Sequence, residues 1–191
     1  MFKKTLIACG VLLATVSAQA TIVTLYASLS GAAEAPPNAS PGTGLGIITL
    51  DDVANTMRVQ ITFSGLTAPN TAAHIHCCTA IAGVGTVGVA TTTPTFTGFP
   101  AGVTSGSYDH TFDMLLASSY NPAFVTANGG TPASAEAVLF TGLKTDHSYL
   151  NIHTTAFGGG EIRGFITPEP ASLALIGLPL LALWRRSRIR A

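Results

Sequence analysis

Apolar and polar residues alternate with period two along most of the central chain. Over residues 22–29, Val23, Leu25, Ala27 and Leu29 fall on one face, with Thr24, Tyr26 and Ser28 opposite. Over 56–64, Met57, Val59, Ile61 and Phe63 oppose Arg58, Gln60 and Thr62. This spacing predicts half-buried strands. Further strands are predicted at 46–50, 72–77, 86–90, 108–115, 135–140, 148–154 and 161–167. Turn signals separate them: Pro36-Pro37-Asn38, Asp51 to Asn55, Pro69-Asn70, Asn128-Gly129-Gly130 and Gly158-Gly159-Gly160. The last suits a tight hairpin between the final two strands. Only 117–126 reads as a short helix, and the Thr-, Pro- and Gly-rich stretch 91–106 reads as an exposed loop. Many short strands at this spacing predict one all-β domain over 21–167, an antiparallel β-sandwich or barrel, flanked by hydrophobic helices at both termini.

The two ends read as addresses rather than fold. Residues 1–20 carry Lys3 and Lys4, an apolar run over 6–16, and Ala18-Gln19-Ala20, the pattern of a signal peptide cleaved after Ala20. The apolar run before Cys9 is too brief for lipidation there. Residues 168–191 begin with Pro168-Glu169-Pro170, continue with an apolar run over 171–184, and end with Arg185, Arg186, Arg188 and Arg190. The run is apolar all round, unlike a surface helix. It is shorter than the roughly 20 residues of an ordinary spanning helix, and its basic end would stay on the cytoplasmic side of the inner membrane. The formal net charge of zero conceals this segregation. Between 21 and 166 there are three basic residues, Arg58, Lys144 and Arg163, against eight acidic ones. A mildly acidic body with no basic stripe excludes nucleic acid as a partner.

Three segments could carry chemistry. On a strand, His74 and His76 share a face, with Ile75 and Cys77 on the other. In residues 149–154, Leu150 and Ile152 belong to the core, while Tyr149, Asn151 and His153 face outward or into a cleft. His74, His76 and His153 therefore make a candidate mononuclear site for Cu or Zn, both of which take imidazole. The alternative is that these rings only hydrogen-bond neighbouring strands and a covering loop. His110 and His147 are weaker candidates. Cys77 and Cys78 are the cysteines left after the signal peptide, in an oxidising space. They suit a vicinal disulfide, soft metal ligands or an intermolecular bridge. Glu34, Glu161 and Arg163 suit a structural ion pair, Arg163 with either carboxylate, better than acid–base work. There is no nucleophile elbow, phosphate loop or GxGxxG. No catalytic residue is assigned, and the chain is not read as an enzyme.

Several of these segments together resemble the CHRD domain, named for its repeats in chordin. They are Leu29-Ser30-Gly31-Ala32 with Glu34 and Pro36-Pro37, Ser64-Gly65-Leu66, Ala73-His74-Ile75-His76, Tyr149 to Thr154, and Gly160-Glu161-Ile162-Arg163-Gly164. The resemblance implies a β-sandwich of immunoglobulin-like or Cu/Zn-superoxide-dismutase-like character. Cys77-Cys78 departs from it, since a glycine or small residue more usually follows the His-x-His. That His-x-His is also similar to the copper-ligand strand of the dismutases, but the dense histidine loop of a dinuclear site is missing. The tail resembles the PEP-CTERM sorting signal, which implies an exosortase as processing partner and delivery to the cell envelope or extracellular matrix. The leading expectation is an exported, non-enzymatic surface or matrix module that binds exopolysaccharide or another surface protein. The alternative is a metal-binding or redox domain.

Overall fold

The computed structural model describes residues 22–168. The expected signal peptide, its cleavage site after Ala20, and the apolar tail with Glu169 and Pro170 lie outside the described residues. Among the described residues no helix is long and apolar enough to cross a membrane.

Among the described residues eight strands form one antiparallel sheet: β1 (Ile22–Ser30), β2 (Thr43–Asp51), β3 (Thr56–Ser64), β4 (Asn70–Cys77), β5 (Gly106–Asp113), β6 (Ser148–Thr154), β7 (Ile162–Phe165) and β8 (Thr167–Pro168). The order is β4-β6-β7-β1-β2-β3-β5, with the short β8 also paired to β1. The period-two faces become the core: Leu25, Ala27 and Leu29 of β1, Met57, Val59, Ile61 and Phe63 of β3, Ile75 of β4, and Leu150 and Ile152 of β6 are all buried. The sheet curls enough that a Cβ on Gly46 of β2 would come within 2.6 Å of Leu150 on β6. The all-β expectation therefore holds, and β3 and β6 have the expected bounds.

Two expected strands do not form. Residues 135–140 are helical, inside α2 (Pro132–Lys144). Their alternation lost to a strong helix start: Thr131 and Ser134 form a capping box, and Pro132 occupies the first turn. The short helix expected over 117–126 is present but divided, a 3-10 turn at Ala117–Ser119 and then α1 (Pro122–Ala127). Residues 86–90 form no strand, only a single bridge between Val89 and His76.

The stretch 91–106 is not simply exposed either. Ala90, Thr91 and Phe96 are fully buried, and Phe99 nearly so. Backbone bonds tie this region to the outer edge of β4: Cys77 N–H to Gly88, Ala90 N–H to Ile75, Phe96 N–H to Ala73 and Gly102 N–H to Asn70. The segment thus covers an edge strand that would otherwise present unpaired amides and carbonyls.

On the other side of the sheet's order, Gly164 of β7 lies against β1, where a Cβ would overlap the Ser28 backbone. Backbone cannot swing aside as a side-chain tip can. Gly164→Ala is expected to destabilise the domain by about 1–3 kcal/mol, the usual range for overpacking, measured by urea unfolding; an unchanged midpoint would refute this close approach.

Candidate metal centre

The antiparallel register of β4 and β6 assembles the polar face. Ala72 pairs with His153, His74 with Asn151, and His76 with Tyr149. Side chains of paired positions share a face, so the three imidazoles become neighbours. The His74 ring lies 5.1 Å from that of His153 and 5.8 Å from that of His76, centroid to centroid. Each ring offers a nitrogen to a trio whose members all lie within 4.8 Å of one another.

Each ring is also held from behind. His74 Nε2–H donates to the Pro94 carbonyl, His76 Nδ1–H to Val87 at 2.8 Å, and His153 Nδ1–H to Gly158 at 2.9 Å. A carbonyl only accepts, so these nitrogens carry the protons and the second nitrogen of each neutral ring keeps its lone pair. Those second nitrogens, Nδ1 of His74 and Nε2 of His76 and His153, are buried without a hydrogen-bond partner. Burial is the main cause that holds all three imidazoles below their ordinary pKa, His76 down to about 4. At neutral pH they are uncharged, the form that binds metal.

The other candidates separate from this trio. His147 donates through Nδ1 to the Thr79 carbonyl, and His110 sits on β5 beside Tyr108 and Phe112. Neither joins the trio. Cys77 and Cys78 are joined in a disulfide. Their sulfurs pack against Gly142 of α2, leaving no room for a Cβ there, so they serve α2 packing rather than the imidazoles.

The two glutamates have different environments. Glu34 takes Arg163: Glu34 Oε2 lies 3.9 Å from Arg163 Nε, both side chains buried. Asn151 Nδ2 donates to Glu34 Oε1 at 2.6 Å. Burial nevertheless dominates and raises the Glu34 pKa. Glu161 is fully buried without a cation among the described residues. Its Oε1 accepts from Ser40 Oγ at 2.6 Å and from Thr67 N–H and Oγ1–H at 2.6 and 3.0 Å, and its Oε2 from Thr154 Oγ1 at 2.7 Å. Burial pushes this carboxyl up, but the four donors together hold it below its ordinary value. Ser40, Thr67 and Thr154 escape sequence reasoning because nothing in their spacing marks a shared acceptor.

The family model for the CHRD domain matches residues 25–166. No curated protein and no solved structure matches the chain significantly.

Because the folded Glu161 pKa is depressed, its contribution to stability is fully present above the unfolded value near 4.5 and is lost as pH falls through the folded pKa. Glu161→Gln is therefore expected to weaken the domain near neutrality and to flatten its acid unfolding below that value; chemical denaturation across pH checks it, and a parallel acid limb in the variant would refute it.

Proposed function

The chain belongs to the CHRD domain family, and on that premise we propose that it is an extracellular binding module that carries one Cu or Zn ion on His74, His76 and His153. One observation carries the metal: each ring is fixed by a backbone carbonyl and keeps a second, buried nitrogen without a hydrogen-bond partner, and the three rings lie close enough that one nitrogen of each is within 4.8 Å of the others. Buried polar atoms without partners are rare, and rings held by a second hydrogen bond are the usual design of metal-binding histidine. Bonds of about 2.0–2.1 Å place two ligating nitrogens at most about 4.2 Å apart. Closing the trio onto one ion needs the rings to move inward slightly from their 4.8 Å limit. Three protein ligands leave a position for an outside ligand.

The site and the surface role are compatible. In this reading the protein is exported by residues 1–20, sorted through residues 168–191 by an exosortase-type enzyme after transient anchoring in the inner membrane, and released to the envelope or matrix. There it binds exopolysaccharide or a surface protein, without catalysis.

Elemental analysis of the exported, processed protein should find one Cu or Zn per chain. His153→Ala should weaken binding by more than about a hundredfold, beyond the range of outer-shell changes. A wild-type protein that takes up neither ion in a calorimetric titration would sink the metal centre. Deleting residues 168–191 should misplace the protein and leave its domain folded; an unchanged location would count against the sorting role.

A further inference from the structure

Tyr149 and Arg163 belong to the polar face but supply no ligand to the trio. The Tyr149 ring stacks on that of His76, with centroids 4.5 Å apart and planes 8° from parallel. The Arg163 guanidinium lies over the same tyrosine, 4.8 Å from its centroid. Both residues also hold the loop that orients His76. The Val87 carbonyl accepts from His76 Nδ1–H and, at 3.2 Å, from the Tyr149 hydroxyl. Val87 N–H donates back to that hydroxyl at 3.3 Å. Two residues earlier, the Gly85 carbonyl accepts from Arg163 Nη1 at 3.2 Å. Arg163 is itself anchored by Glu34 and the Ala33 carbonyl.

We propose that Tyr149 and Arg163 are positioning residues for His76: together they fix its ring plane and hold the Val87 carbonyl that selects which of its nitrogens stays bare. This rests on the metal-centre reading above. The physical reason is that a ligand free to rotate, or to carry its proton on the other nitrogen, must be reordered at each binding event. Outer-shell partners of this kind are worth about 10–100-fold in metal affinity. The guanidinium adds a cation–π contact that stiffens the tyrosine ring.

The test uses the exported, processed protein, with Cu(II) affinity measured by chelator competition and the Cu(II) EPR spectrum recorded beside it. Tyr149→Phe keeps the stacked ring and removes only the hydroxyl. It is expected to weaken Cu(II) binding by at least about tenfold and to shift the EPR hyperfine splitting. Tyr120→Phe is the control, since Tyr120 is likewise a buried tyrosine but its hydroxyl donates to the Met114 carbonyl, away from the trio. It should leave affinity and spectrum unchanged. Should Tyr149→Phe fail to fold, Arg163→Lys is read by the same criteria; it keeps the charge beside Glu34 and loses the planar contact with Tyr149. A folded variant with wild-type affinity and spectrum overturns the inference, as does equal weakening by Tyr120→Phe. Absence of Cu(II) and Zn(II) binding in the wild type overturns the metal centre and this inference together.

Discussion

The second face of β4, β6 and β7 is polar and yet mostly buried, and every group on it needs a partner. Most antiparallel sheets leave such a face to water. Here β6 is buried along nearly its whole length on both faces. An unsatisfied buried donor or acceptor costs about 1–3 kcal/mol, so the covering segments must bring their own hydrogen bonds. Residues 31–42 bring Glu34, Asn38 and Ser40, and the β6–β7 hairpin brings the Gly158 carbonyl and Glu161. Among the described residues six buried side-chain atoms remain without partners, and three of them are nitrogens of His74, His76 and His153. Their gathering on three neighbouring rings is what the proposed metal centre rests on.

Closure of the domain and assembly of the site are the same event. The segment that pairs with the free edge of β4 also supplies the Val87 and Pro94 carbonyls to His76 and His74. Were it to detach, β4 would expose its edge and two imidazoles would lose their fixed tautomers at once. An ion bound as proposed would therefore favour order in this segment, since a ligand that binds the closed arrangement stabilises it by mass action.

Much of this was legible in the residues themselves. Period-two runs located β1, β3, β4 and β6, because an alternating pattern admits only one way to bury its apolar half. The i, i+2 rule put His74 and His76 on one face, and the opposite facing of Leu150 and Ile152 sent His153 to the polar side. What stayed hidden depended on tertiary context. The stretch 135–140 alternates weakly and was decided by Thr131, Pro132 and Ser134 upstream. Phe96 and Phe99 were the one sign that a Thr-, Pro- and Gly-rich stretch would dock rather than float. The four donors around Glu161 come from segments far apart in the chain, and no local pattern announces them. Nor could composition choose between the two carboxylates for Arg163, which goes to Glu34.

The bond between Cys77 and Cys78 joins neighbours in the chain. A disulfide stabilises chiefly by restricting the unfolded chain, and more so the longer the loop it closes. This one closes no loop, so it cannot act as the staple that small secreted domains commonly rely on. Durability therefore falls to the apolar core and the hydrogen-bonded lining. Reducing surroundings would strip the link without loosening any distant part of the chain from another.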